Sequence, residues 1–346
     1  MSPHVLVVRL DSDGDVLLAG PAVRAVAHGA RRVTLLCGPR GRQAAQLLPG
    51  VDDVRVFRAP WIDPEPEPVD PVAVLELVTE LNTLAVDEAV ILTSFHQSGL
   101  PTALLLRLAG VPLLAATSVD YPGSLLDVRH AIDEDVHEVE RSLSLVAELG
   151  YGLPPGDGSR LAIRRADEGL EPPLEPPYVV VHPGTSVPAR AWPPERHAAL
   201  VDALVEAGMR VAVTGGLGDR ELAAAVAGRP RPEVSDLGSR TTFAQLAEIL
   251  AGAETVVVGN TGPAHLAAAV GTPVVSLYAP TVPAVRWRPW RVPHVLLGNQ
   301  EAPCAGSRAC VCPVPGHPCL SAVTVDDVLE ALAELAPARE PEEALA

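Results

Sequence analysis

Three short segments place polar and ionisable residues directly after apolar runs, where a strand would give way to a helix. The first is Arg9-Leu10-Asp11-Ser12-Asp13-Gly14-Asp15. Gly14 permits a tight turn, and Asp15 is expected at or near a helix N-terminus, where free amides and the dipole favour a carboxylate. Taken alone, Asp15 reads as an N-cap. Asp11 and Asp13 form an Asp-x-Asp pair of the kind that can chelate a divalent cation, but here it follows the first strand. An EF-hand calcium loop is excluded, because its glycine and distal glutamate are missing at the required spacing.

The second segment is His182-Pro183-Gly184-Thr185-Ser186, continuing through Arg190 to Pro194. Gly184 lets the backbone come close to a ligand. Thr185 and Ser186 offer hydroxyls, and the Arg190 guanidinium is a fork of donors suited to phosphate. An ordinary strand-to-helix loop would account for the prolines, since proline is favoured at the first helical position. It would not account for the Gly-Thr-Ser-x-x-x-Arg grouping. The third segment is Gly259-Asn260-Thr261-Gly262-Pro263-Ala264-His265. It opens a helix straight after a strand, so its free amides form an anion site. His265 falls in the first turns of that helix, where a lone histidine is more often a packed polar residue than a ligand. A fourth loop, Tyr278-Ala279-Pro280-Thr281, is expected beside the third.

Two runs of alternating strand and helix are needed to position these loops. Val5–Arg9, Val33–Cys37 and Ala89–Leu92 read as buried strands. The segments 16–27, 72–81 and 101–109 read as the helices between them. A second set has strands at 178–181, 210–213, 255–258 and 274–277, and helices at 194–207, 219–227, 243–251 and 263–269. A last helix is expected at 325–335, with Thr324 as its N-cap. This alternation predicts α/β architecture with parallel sheets. Residues 153–177 carry six prolines (154, 155, 172, 173, 176 and 177) and read as a linker. The expected division is an N-terminal domain 1–152, linker 153–177, C-terminal domain 178–336 and acidic tail 337–346.

The chain has 346 residues and a formal net charge of -17, and its 26 basic residues are all arginine. Such acidity excludes nucleic-acid binding by phosphate neutralisation and allows at most peripheral membrane contact. The longest apolar stretch, 103–117, is broken by Arg107, Gly110 and Pro112 and is too short to span a bilayer. No basic n-region precedes the apolar run at 5–10, so a cytoplasmic location is expected. Cys304, Cys310, Cys312 and Cys319 cluster near His317 without the tight Cys-x-x-Cys pairs usual for zinc. They read as packed thiols in preference to a metal or redox centre.

Together, in this order, the three motifs resemble glycosyltransferase family 9, the ADP-heptose:lipopolysaccharide heptosyltransferases. That family carries Arg-x-Ser-Ser-x-Gly-Asp near its start, His-Pro-Gly-x-Ser in mid-chain and Asn-Asp-Thr-Gly-Pro-x-His-Leu near its end. The resemblance covers nearly the whole chain. It implies a GT-B architecture, two Rossmann-like domains facing across a cleft, with the acceptor on the first, a nucleotide-diphosphate sugar such as ADP-heptose on the second, and neither an obligatory metal nor a cofactor. It implies Asp15 as catalytic base, with Ser12 and Gly14 on the acceptor side. It also implies Thr185, Ser186, Arg190, Asn260, Thr261, Gly262 and His265 at the donor. The expected chemistry is an inverting transfer to a hydroxyl of a glycan, glycolipid or metabolite, with lipopolysaccharide biosynthesis as the family setting. Two departures stand out. Asp11 occupies a family serine position, and Asn260 replaces the aspartate before Thr-Gly. A sugar-nucleotide epimerase or a non-catalytic nucleotide-sugar binder would share the same fold.

Overall fold

A computed structural model of the chain describes residues 2–132, 135–165 and 174–336. Part of the expected linker (166–173) and the expected tail (337–346) lie outside these. The chain divides into two compact units, Met1–Arg164 and Arg165–Ala346. The boundary falls within the proline-rich stretch. Its first half packs on the first unit: Arg24 grips Asp157 at 2.7 and 3.0 Å, and the Arg164 guanidinium donates to the carbonyls of Gln46 and Val51.

The first unit is built on strands β1 (His4–Arg9), β2 (Arg32–Cys37), β3 (Asp53–Val56), β4 (Glu88–Ile91), β5 (Leu113–Thr117) and β6 (Val128–His130). They form one parallel sheet in the order β3-β2-β1-β4-β5-β6. The second unit repeats this plan with β7 (Tyr178–His182), β8 (Arg210–Gly215), β9 (Val234–Gly238), β10 (Thr255–Gly259), β11 (Val274–Leu277) and β12 (His294–Leu297), ordered β12-β11-β10-β7-β8-β9. Each is a doubly wound Rossmann-like sheet. The central strands β1, β7 and β10 are buried along their full length, as a sheet covered by helices on both faces demands. Val179, Val181, Val257 and Val275 join Leu200, Leu204 and Leu320 in the core of the second unit.

In both sheets the strand order reverses at the centre, between β1 and β4 and between β7 and β10. Loops leaving such a pair at their carboxyl ends diverge to opposite faces and open a crevice, where ligands of this fold class bind. The three chemical motifs follow β1, β7 and β10, so all of them flank a reversal point. The apolar stretch 103–117 resolves into the end of the helix Leu100–Leu108 and strand β5. Among the described residues, no helix is long and apolar enough to cross a membrane.

The β1 loop is held by a close backbone approach. A Cβ on Gly38, just after β2, would collide with the Leu10 carbonyl and lie 3.4 Å from the Asp11 carbonyl. Gly38→Ala must push this loop aside and should lower stability by about 1–3 kcal/mol. Denaturant unfolding should show a lower midpoint at unchanged slope. An unshifted midpoint would show that the loop gives way freely.

Candidate functional site

In the first unit the site is organised around Arg9, the last residue of β1. Its side chain is 1% exposed, and a buried guanidinium must be paired. Its Nε lies 2.9 Å from Asp11 Oδ2, and its Nη2 donates to Asp15 Oδ1 at 3.1 Å and to Ser94 Oγ at 2.8 Å. Glu138, also 1% exposed, stands 3.7 Å away on the other side. Ser94 comes from the loop after β4, and Glu138 opens the helix Glu138–Ala147. Burial opposes the charge of Arg9, but Asp11, Asp15 and Glu138 outweigh it and push the guanidinium pKa up.

Three carboxylates share this one cation. Asp11 is pushed up to about 6, first by burial and against the pull of Arg9, with Asp15 adding repulsion. Gln97, whose Oε1 accepts from the Ser94 amide, donates to Asp11. Asp13 turns the other way. Its Oδ1 accepts from the Ala44 amide at 2.9 Å, and burial raises it to about 6. The Asp-x-Asp pair is therefore split between two sets of partners.

The helix begins at Asp13, with Ser12 as its N-cap. Asp15 is thus the third helical residue, not the cap. Gly14 lies within the first turn instead of making the tight turn expected of it. The Ser12 hydroxyl does not cap the helix but donates to Asp15 Oδ2 at 2.9 Å. Asp15, with its side chain 21% exposed, is held on one oxygen by Arg9 and on the other by Ser12.

In the second unit the loops after β7, β10 and β11 converge. A Cβ on Gly259 would stand 3.0 Å from Thr185 Cγ2 and 3.4 Å from the Arg190 carbonyl. Thr185 donates to the Val187 carbonyl at 3.0 Å. The half-buried Arg190 reaches Thr281 Oγ1 at 3.4 Å and the Asn260 carbonyl at 3.3 Å. Thr261 caps the helix Gly262–Val270 in position but not with its side chain. His265 is buried in the first turns of that helix, and Ser186 is exposed.

Asn260 is engaged by main chain. Its Nδ2 donates to the Ala279 carbonyl at 3.2 Å, and its Oδ1 accepts from the Ala279 amide at 3.3 Å. This couples the ends of β10 and β11. A carboxylate could accept from Ala279 but could not donate to it, which is a physical reason for the amide at this position. His182 is likewise structural: its ring pairs with Thr214 Oγ1 at 2.9 Å, and burial lowers it to about 4. Gly184 leaves room for the carboxylate of Asp219, which accepts from the Gly216 amide.

The cysteines are all free. Cys304 and Cys319 are buried in contact, and the Cys319 thiol is pushed up to about 11 by burial and then by Cys304 and Cys312. Among the described residues, no group of three or more His, Cys, Asp or Glu side chains is placed to hold a metal ion. Sequence reasoning missed Ser94, Gln97 and Glu138. The available signal was Arg9 itself, a charge ending an otherwise apolar strand. It also left Thr281 without a role.

A family model for glycosyltransferase family 9 (heptosyltransferase) matches residues 95–316. The chain belongs to this family. It is 31% identical over 150 residues to lipopolysaccharide heptosyltransferase 3 of Escherichia coli, covering 42% of this chain and 43% of the relative. The chain spans about half the length of the curated relatives it matches. In fold it is similar to a family 9 glycosyltransferase of Veillonella parvula, with TM-score 0.75, 19% identity and coverage of 96% and 97%. It is also similar to the E. coli heptosyltransferase WaaC solved with ADP-2-deoxy-2-fluoro heptose, with TM-score 0.69, 23% identity and coverage of 96% and 100%. These likenesses show the two-unit GT-B fold.

The raised Asp13 carboxyl has a measurable consequence. A carboxylate whose folded value lies above its unfolded one makes the folded state bind more protons. Stability therefore falls as pH rises from about 4 to about 6. Asp13→Asn keeps the acceptor for Ala44 and removes the buried charge. Relative to wild type it should gain up to roughly 2 kcal/mol above pH 6.5 and little at pH 4. Unfolding titrations of both proteins from pH 4 to 8 check this, and a variant that loses stability at neutral pH refutes it.

Proposed function

We propose that the chain is an inverting glycosyltransferase that moves a sugar from a nucleoside-diphosphate donor of the ADP-heptose kind onto an acceptor hydroxyl. The observation that carries this reading is the holding of Asp15, with both oxygens oriented and the side chain still partly open to solvent. A carboxylate oxygen has more than one lone pair, so Asp15 can still accept the acceptor's proton as its oxygen attacks the anomeric carbon. Ser12, with Gly14 behind it in the same helical turn, forms the acceptor side.

On the second unit, Arg190, the Thr185 and Ser186 hydroxyls and the Gly262 amide beside Thr261, whose own amide is taken by the Gly259 carbonyl, form the diphosphate cradle. They stabilise the charge that grows on the leaving group. His265 shapes the floor of that cradle. Asn260 serves the donor by fixing its two loops against each other. The ADP-sugar analogue bound to one structural neighbour supports a nucleotide-sugar donor. The curated relatives act in lipopolysaccharide assembly by name, which supports a glycan acceptor. The acidic surroundings of Arg9 disfavour a densely phosphorylated acceptor at that point.

Asp15→Asn preserves shape and can still accept from Arg9, while the Ser12 hydroxyl can turn to accept from the new amide. Turnover with ADP-heptose and a glycan acceptor should fall by on the order of a hundredfold, with donor affinity and melting temperature little changed. Full activity per folded molecule would remove Asp15 as the base. Loss of donor binding would move the donor to the first unit.

A further inference from the structure

The segment from Cys304 to His317 takes no part in the chemistry above, yet it touches both loops that hold Arg190. Ala189 lies in the 3-10 turn Pro188–Arg190 and is buried. Its amide donates to the Cys310 carbonyl at 2.9 Å. Its carbonyl lies 3.0 Å from His317 Nε2, and since a carbonyl only accepts, that nitrogen carries the proton. On the other side, the Gly306 amide donates to Pro280 and the Arg308 amide to Thr281, each at 2.8 Å. Thr281 is the residue whose hydroxyl meets Arg190.

The backbone is shaped for this. Arg308 and His317 both adopt left-handed conformations, at φ 57° and 50°, where non-glycine residues are uncommon and costly to hold. At the base, Cys304 and Cys319 pack their buried side chains together. The segment is thus a strap, pinned at its base and bonded at four points to the Arg190 turn and the Thr281 loop.

We infer that His317 is a positioning residue for donor binding: through Ala189 it fixes the turn that aims Arg190 at the diphosphate. This rests on the donor reading proposed above. His317 does not touch the donor. It acts by limiting the freedom of the turn that carries Arg190, whose side chain reaches Thr281 Oγ1 and the Asn260 carbonyl, so that less order must be imposed when the ligand arrives.

The test uses the full chain with ADP as probe and titration calorimetry as readout. Arg190→Ala is the control for the donor site itself. His317→Phe removes the donor to Ala189, whereas His317→Gln can still supply an N–H. The expected result is that His317→Phe weakens ADP binding about tenfold, the scale of one lost hydrogen bond. His317→Gln should recover most of the loss, and melting temperatures should stay close to wild type. ADP binding weakened by Arg190→Ala but untouched by His317→Phe overturns the strap inference alone. Binding insensitive to Arg190→Ala, or absent in the wild type, overturns the donor reading and this inference with it. Should His317→Phe fail to fold, hydrogen exchange on the wild type decides. ADP should slow exchange in 187–191 and in 306–310 together, and protection confined to 187–191 overturns the strap.

Discussion

A guanidinium buried to 1% exposure cannot stand alone, and the first unit is arranged around meeting that demand at Arg9. Removing one partner of such a buried ion group typically costs about 3–5 kcal/mol, so its neighbours are not free to drift. Arg9 draws Asp11 and Asp15 from the loop and helix after β1, Ser94 from the loop after β4 and Glu138 from a helix more than a hundred residues away in sequence. These are the elements on either side of the strand-order reversal. The same interaction therefore closes the crevice at its base and orients Asp15 within it. Stability and the proposed chemistry meet in one side chain.

The number of carboxylates matters as much as their placement. Asp11 rises to about 6 first because it is buried; Arg9 pulls it down and the neighbouring Asp15 adds repulsion. Asp11 stands where the family resemblance expects serine. A serine there would leave Arg9 with two carboxylate partners instead of three. The extra acid takes the Nε edge of the guanidinium, leaving Nη2 to Asp15, and accepts from Gln97 in the loop after β4. The substitution thus alters the setting of the proposed base without touching it.

Much of this was legible in the sequence because a parallel sheet buried on both faces must be apolar along its strands. Val5–Arg9 and Tyr178–Val181 could be read for that reason, and with them the place of the loops that follow. The edge strands could not be read. Val234–Gly238 is half-exposed and carries Ser235 and Asp236, and His294–Leu297 is half-buried throughout, so neither has the apolar run that marks a central strand. Gly14 was misjudged because glycine after a strand suggests a turn, whereas here the helix has already begun at Asp13. Asn260 could be flagged as a departure, but its purpose was invisible. The two polar atoms of its amide meet Ala279, and that pairing exists only once β10 and β11 lie side by side.

The two units solve the same problem with opposite chemistry. Both place their polar residues at the reversal of a 3-2-1-4-5-6 sheet, where the fold supplies a crevice whatever it is to hold. The first unit fills that place with buried charge, held by side chains from distant segments. The second uses neutral groups: an asparagine bonded to main chain, glycines that let backbone approach, and a helix N-terminus. Arg190 reaches a hydroxyl and a carbonyl there. In the proposed reading the diphosphate meets hydrogen-bond donors fixed by main chain on the second unit, while the proton is taken by a carboxylate that a buried cation orients on the first. Each crevice is thus suited to its step by what holds its polar groups in place, since a donor or acceptor already fixed by the fold need not be ordered when the ligand arrives.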